Sequence, residues 1–298
     1  MQGVSHNGSP SHKGASAAGQ RSTPHRPPGP TLPGSSLVAR PSHQDVFPVF
    51  DLGVAPYLPV QALQQRLRQL VAEGALAGIL LLLEHEPVIT LGSRGGPWDL
   101  RCEQDASGSP VPVVRSERGG QATLHAPGQL VCYPVVPIPE RDLSTYVRGL
   151  EEVVLQVLRR LGLTGHRRSG HPGVYVAGDK IASVGLRCQR WVASHGTSIN
   201  VSNDLSLFEL IVSCGEPDLR QTSIATLKGE APTLAGVKRL YVEAASEVFG
   251  WRLAPAEQAL HHEVEAKLGL STEYLEGYMP TAGFEPAAPG SGGQCSIP

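Results

Sequence analysis

Residues 1–44 contain no Asp or Glu and few large apolar side chains, but are dense in Ser, Gly, His and Pro, with prolines at Pro24, Pro27, Pro28, Pro30 and Pro33. Such a segment cannot bury enough surface to offset its ordering entropy, so a disordered extension is expected over residues 1–45. Also missing is any long apolar run. Ala75–Leu83 is the most apolar stretch and falls far short of the ~20 residues that cross a bilayer, so a soluble protein with no membrane partner is expected. Net charge is only -2, with no basic footprint of the kind nucleic-acid binding requires. The five cysteines, Cys102, Cys132, Cys188, Cys214 and Cys295, are odd in number and include no C-x-x-C pair. That excludes a disulfide framework and a zinc ribbon, and points to a reducing compartment. The cytoplasm is the expected location. Mitochondria come second, because Lys13, Arg21, Arg26 and Arg40 give the acid-free start a transit-peptide composition whose Pro and Gly would break an amphipathic helix.

Nucleotide and metal signatures are absent too. There is no G-x-x-x-x-G-K-[ST] and no G-x-G-x-x-G after a strand, and His261-His262-Glu263 lacks the spacing that aims two imidazoles at one metal, reading instead as a solvated helix. No cofactor and no metal are expected.

What is present is a core of single-domain size, residues 46–252. Residues 253–298 read as an extension, a helix and then a disordered tail in which Gly290, Gly292 and Gly293 interrupt any regular element. Apolar residues recur at helical spacing over Pro59–Ala72, over a segment capped by Ser144 and ending at Gly162, and over Gly236–Phe249. Strand patterns cover Gly78–Glu84, Val111–Arg115, Leu130–Val136 and Thr197–Val201, while Val174–Val176 and Ile181–Leu186 form a hairpin around Ala177-Gly178-Asp179. Helices interrupting groups of strands without regular βαβ alternation predict an α+β fold with a mixed, largely antiparallel sheet.

Three polar, glycine-rich blocks could carry chemistry. Arg118 to Gln129 has paired glycines, Gly119 and Gly120, that let a ligand approach the backbone, with Thr123 and His125 beside them. It could equally be a turn between strands. In Gly178 to Gly185, strand alternation puts Lys180 on the same face as Ala182, Val184 and Leu186, where an amine needs a partner or must snorkel; an exposed strand-end lysine is the plain alternative. In Asp204 to Gly215, an apolar turn capped by Asp204 delivers Cys214 ahead of a glycine. A lone cysteine is ordinarily a small buried hydrophobe. Cys102, Cys132, Cys188 and Cys295 are read that way.

Together these blocks, with Glu84-His85-Glu86-Pro87-Val88-Ile89-Thr90-Leu91-Gly92, Gly173-Val174-Tyr175-Val176, Ser194-His195-Gly196 leading to Asn200, and Asp204-Leu205 through Phe208 to Cys214-Gly215, resemble the octanoyltransferases of lipoate assembly, relatives of the lipoate and biotin protein ligases. The resemblance implies a Cys214–Lys180 catalytic dyad and a covalent octanoyl thioester on Cys214. It implies substrate-binding roles for Arg118, Gly119, Gly120, Gln121, Ala122, Thr123, Leu124 and His125, for Ser183, Val184 and Gly185, and for Gly196, Thr197 and Ser198. The implied donor is octanoyl-acyl-carrier protein; the implied acceptors are lipoyl domains of 2-oxoacid dehydrogenases and the glycine cleavage H protein. The family usually has Asp at Glu117, Gly at Ala126 and Pro at Ser213, so a left-handed backbone at Ala126 would carry strain on the order of 1 kcal/mol. Rival readings are an ATP-dependent lipoate or biotin ligase, a thioester hydrolase or cysteine peptidase using His125 or His195 as base, and a non-catalytic acyl-carrier-binding module.

Overall fold

The computed structural model describes residues 46–255. The expectations for residues 1–45, the helix and tail after residue 255, His261-His262-Glu263 and Cys295 lie outside the described residues. Strand β1 (Val46–Ala55) leads into helix α1 (Tyr57–Ala72), then β2 (Ile79–His85) and the short β3 (Val88–Leu91), β4 (Val113–Arg115) and β5 (Ala122–His125). After β6 (Gln129–Pro137) and α2 (Leu143–Arg160) come β7 (His166–Arg168), β8 (His171–Val176), β9 (Asp179–Gln189) and β10 (Val192–Asn200). Helices α3 (Ile224–Lys228) and α4 (Leu234–Phe249) and strand β11 (Arg252–Pro255) complete the described residues.

Eight strands form one sheet in the order β11-β1-β2-β6-β10-β9-β8-β7. Only the β11–β1 and β1–β2 pairs are parallel; the others are antiparallel. A small second sheet, β4-β3-β5, carries the start of the glycine-rich loop. The architecture is therefore α+β with a mixed, largely antiparallel sheet. Residues 253–255, which the sequence places in an extension, instead pair with β1 and cover what would be its open edge.

Both faces of the large sheet are covered, which explains why β2 is apolar without alternation. Leu80 and Leu82 pack with Val153, Val154, Val157 and Leu158 of α2 and Val237 and Tyr241 of α4. Ile79, Leu81 and Leu83 face Val60, Leu63, Leu67 and Val71 of α1. A third cluster, with Ile89, Leu124, Ala126 and Phe208, lies under the small sheet.

Two sequence expectations change in detail. Helix α2 starts at Leu143, and its cap is Asp142 rather than Ser144. The carboxylate of Asp142 accepts from the amides of Ser144 and Thr145 at 2.9 and 3.1 Å, satisfying donors that have no partner within the helix. One third of the glycine-rich block is also regular structure, because Ala122–His125 is strand β5, fully buried and paired antiparallel with β3. Its alternating Thr123 and His125 had no apolar run to mark a strand.

Asp142→Ala should lower Tm by roughly 2–4 °C, the effect of losing a cap in a domain of this size. Ser144→Ala should leave Tm within about 1 °C. Scanning calorimetry of the two variants distinguishes the cap assignments.

Candidate active site

Lys180 opens β9 and is 2% exposed. Strict alternation would place it with Ala182 on the face packed against α2 and α4. The register forbids this: Tyr175 pairs with Lys180 but Val174 pairs with Ala182, so Ile181 is an extra residue in β9. Ile181 and Ala182 both enter the core cluster with Val174. The bulge turns Lys180 to the opposite face, alongside Ser183 and Gly185.

Its amine is then placed by backbone. Nζ donates to the carbonyl of Pro172 at 3.1 Å and to Sγ of Cys214 at 3.1 Å, with the Tyr175 ring centroid 5.5 Å away. The aliphatic stem crosses Gly173, where a Cβ would lie 2.5 Å from the Ala182 carbonyl oxygen and 2.7 Å from Lys180 Cε. Gly173 has φ +132, and its amide donates to the buried carboxylate of Glu151 on α2 at 2.9 Å. A left-handed glycine and a buried acid therefore shape the channel for the lysine.

Cys214 comes from the other side, in a single 3₁₀ turn, Ser213–Gly215. It adopts φ 56, ψ 17, left-handed backbone that costs a non-glycine residue about 1–2 kcal/mol. The turn is fixed on both flanks: the Val212 amide donates to the Asp99 carbonyl at 2.8 Å, and Glu216 is held by Arg168 and by His171 Nδ1 at 2.7 Å. Gly215, at φ +73, lies against the Gln121 side chain so closely that a Cβ would sit 2.1 Å from Nε2. Ala126, by contrast, is not among the residues with positive φ and packs in the cluster under the small sheet, so it carries none of the strain considered for it. Ser213, where the family resemblance implies proline, is buried with its Oγ unpartnered.

One cavity of about 270 Å³ joins these parts. Lys180 and Cys214 line it together with Arg118, Gly119, Gly120, Gln121, Ala122, Thr123 and His125, the Ser183-Val184-Gly185 segment and the Gly196-Thr197-Ser198 segment. Of the residues singled out from sequence, Leu124 alone does not line it; its side chain points into the cluster under the small sheet. Glu216, His171, Pro172, Tyr133 and Arg94 also line the cavity, and the sequence did not single them out. Only nearness to Cys214 could have flagged Glu216; Pro172 acts through its carbonyl, which no side-chain pattern encodes.

Arg118 is buried under the loop. Its Nη2 donates to the Thr90 carbonyl at 2.6 Å and to Thr90 Oγ1 at 2.8 Å, and Nη1 donates to the Gly119 carbonyl at 3.0 Å. Behind it three imidazoles are packed with tyrosines. His85 donates from Nδ1 to the Ala55 carbonyl at 2.9 Å, which leaves Nε2 to accept from Tyr133 Oη at 3.1 Å. His125 donates from Nδ1 to Gln129 Oε1 at 2.7 Å; Gln129 then donates to Asn200 Oδ1, and Asn200 to the Thr222 carbonyl. The Thr222 amide in turn donates to the carbonyl of Lys180 at 2.9 Å. His195, at φ 57, has an unpartnered Nδ1. Burial holds all three rings neutral, lowering His85 to about 4, His195 to about 3, and His125 well below the ordinary imidazole value. The hydrogen-bonded neighbour of the Cys214 sulfur is thus an amine and not an imidazole. Among the described residues no group of His, Cys, Asp and Glu could hold a metal ion, and no helix is long and apolar enough to cross a membrane.

The chain belongs to the family described as the lipoyl protein ligase A/B catalytic domain, whose model matches residues 56–246. Within that family it is similar to octanoyltransferases. It is 41% identical to the octanoyltransferase of Nitratidesulfovibrio vulgaris over 71% of this chain and 98% of that one. It is also 41% identical to that of Chloroflexus aggregans over 68% and 95%. Among solved structures, it resembles lipoate-protein ligase A bound with ATP, with a TM-score of 0.59 at 15% identity, covering 79% of this chain and 100% of the other. The putative lipoate protein ligase Ta0514 of T. acidophilum with bound lipoic acid gives a TM-score of 0.57 at 15% identity over the same shares.

Two outcomes follow from the geometry. Gly173→Ala should reduce activity at least tenfold, because a side chain there displaces Lys180; turnover measured beside a circular dichroism spectrum checks this. The imidazoles predict a pH dependence. Their folded values lie below the ~6.5 of an exposed histidine, so between those values the unfolded chain binds more protons. The stability they contribute is complete above about pH 6.5 and is lost as pH falls, by up to ~1.4 kcal/mol per pH unit for each ring. Urea midpoints from pH 7.5 to 4.5 should fall less steeply in His85→Gln than in the parent protein.

Proposed function

We propose that this acyltransferase moves an octanoyl group from a carrier-protein thioester to a lysine of a lipoyl domain, through a thioester on Cys214. The observation that carries the reading is the 3.1 Å contact between Lys180 Nζ and Cys214 Sγ at the wall of a mostly buried cavity. A thiolate is the attacking form of cysteine, and an adjacent ammonium favours it. Attack on the donor exchanges one thioester for another at little free-energy cost. Attack on the acyl-enzyme by a lysine amine gives an amide, which is downhill, so no nucleotide is needed. In this reading Lys180 gives a proton to the departing carrier thiolate and takes one from the incoming amine. A lysine suits this exchange because it presents a compact charge on a flexible stem.

In this reading residues 46–252 form the catalytic domain, and the acyl group lies along Arg118 to His125, Ser183 to Gly185 and Gly196 to Ser198. The curated relatives are octanoyltransferases, which supports the chain as an octanoyl-transferring enzyme of lipoylation. Octanoyl-acyl-carrier protein is the proposed donor. Lipoyl domains of 2-oxoacid dehydrogenases and the glycine cleavage H protein are the proposed acceptors, and the cytoplasm is the proposed location.

Incubation with octanoyl-acyl-carrier protein should add one octanoyl mass to the intact protein, and the label should pass to a lipoyl-domain lysine without ATP. Cys214→Ala should abolish both events. Transfer by that variant, or strict dependence on ATP, would refute the thioester route. Loss of the label to water with no labelled acceptor would favour hydrolysis.

A further inference from the structure

Arg118 is a buried cation without a counterion. Its hydrogen bonds go to neutral acceptors, the Thr90 hydroxyl and carbonyl and the Gly119 carbonyl. Among the described residues no carboxylate pairs with it, and the adjacent Glu117 is turned to Arg68 at 3.1 Å. The slot is tight and fixed: a Cβ at Gly92 would sit 2.8 Å from Nη1, and one at Gly185 would sit 3.2 Å from Cδ. A guanidinium does not shed its proton in a protein. Three acidic groups feel its field, Tyr57, Cys214 and Tyr133. Burial raises both phenols above their ordinary value, so they stay neutral at physiological pH. Cys214 is left as the one group among them that can balance the charge, and it lines the same cavity as Arg118 and Lys180.

We propose that Arg118 acts as a positioning charge that decides where the Lys180 proton resides at each stage of the transfer. The inference rests on the Cys214–Lys180 reading above. Arg94 and Glu216 also line the cavity with opposite charges, Glu216 being held by Arg168 and His171; apart from those two, the resting enzyme has two cations there, Arg118 and the Lys180 ammonium, and one anion, the Cys214 thiolate. Sγ attacks the donor carbonyl carbon; the new C–Sγ bond forms, the donor C–S bond breaks, and the leaving thiolate takes its proton from Lys180. The acyl-enzyme then contains a neutral thioester, a neutral amine and Arg118. Had Lys180 kept its proton, the ammonium and Arg118 would both remain with no thiolate to balance them, the Glu216 carboxylate being taken up by Arg168 and His171, and like-charge repulsion and desolvation both oppose this. The neutral amine is the form able to receive a proton. When the acceptor amine forms its C–N bond, the C–Sγ bond breaks, the nitrogen's proton moves to Lys180, and Sγ leaves as thiolate. The cavity carries one excess positive charge throughout, and the group that fixes this number cannot titrate.

The test uses the full chain and follows the two half-reactions separately by intact mass. Arg118→Met should slow transfer from whatever octanoyl adduct it forms to the acceptor at least tenfold at pH 7, with the deficit shrinking as pH rises. Arg118→Lys, which keeps a cation, should recover part of the loss. A folded Arg118→Met within twofold of the parent in both steps would overturn the proposal, as would Arg118→Lys matching Arg118→Met at every pH. Should Arg118→Met not fold, the parent protein decides the matter. With ¹⁵N-labelled lysine, the Lys180 ammonium signal should vanish on octanoylation in the absence of acceptor, and its persistence at pH 7 would overturn the proposal. Failure of the parent to form any adduct would instead remove the Cys214–Lys180 reading itself.

Discussion

The contact between the Lys180 amine and the Cys214 sulfur, 3.1 Å long, is the constraint to which the rest of the molecule is fitted. Burying an amine is costly unless the protein supplies partners, and here a fixed carbonyl, a sulfur and an aromatic face are supplied together. Each depends on something further out. Pro172 presents its carbonyl next to the sharp backbone of Gly173, and that amide is pinned by Glu151 from α2. Glu151 also receives Arg167 of β7 at 3.1 Å, so helix packing, sheet edge and reacting amine form one mechanical unit. The extra residue Ile181 is as important as any of these. Without it the lysine would point into the apolar layer beneath α2.

The sulfur end follows the same logic with the opposite currency, stored strain. A left-handed cysteine persists only where surrounding contacts over-determine it. Here the Asp99 carbonyl fixes the residue before the turn, Gln121 fills the space at Gly215, and Arg168 and His171 grip Glu216. Cys214 in this left-handed turn lines the cavity, and the glycine that follows is required by the close approach of Gln121. These contacts link the Arg118 loop to the cysteine turn, so a shift in either would be felt by the other.

Much of the scaffold was legible because its signals are local. The apolar periodicity of α1, α2 and α4 marks those helices to within a few residues, and the turn glycine and flanking β-branched residues mark the β8–β9 hairpin. The short strands β3, β5, β7 and β11 were not legible, since three or four residues pairing at long range leave no periodic trace. The site divides along the same line. Cys214, Lys180 and the glycine-rich loop carry distinctive residue types, and the structure brings them to one cavity. The bulge at Ile181, the carbonyl of Pro172 and the support from Glu151 are backbone or second-layer features, set by register and packing that one sequence does not display. Leu124 shows the converse error. A contiguous motif was carried over whole, whereas a strand sends alternate side chains to opposite faces, so one of its members had to face the core.

The sheet is shared with a lipoate-protein ligase bound with ATP at 15% identity, so topology does not settle the reaction. What bears on it is the identity of a few side chains and the angle at which the backbone offers them. A ligase activates a free acid and has no need of a thiol. A cysteine in left-handed backbone, bonded to an amine in a cavity it shares with Arg118, is what the proposed exchange at sulfur would use. Three imidazoles lie close by and are kept neutral by burial, none of them the sulfur's hydrogen-bond partner. In the proposed reading, protons pass through one mobile carrier, Lys180, working against one fixed charge, Arg118. Such a cavity favours an exchange in which every step moves an acyl group one way and a proton the other, leaving the buried charge as it was.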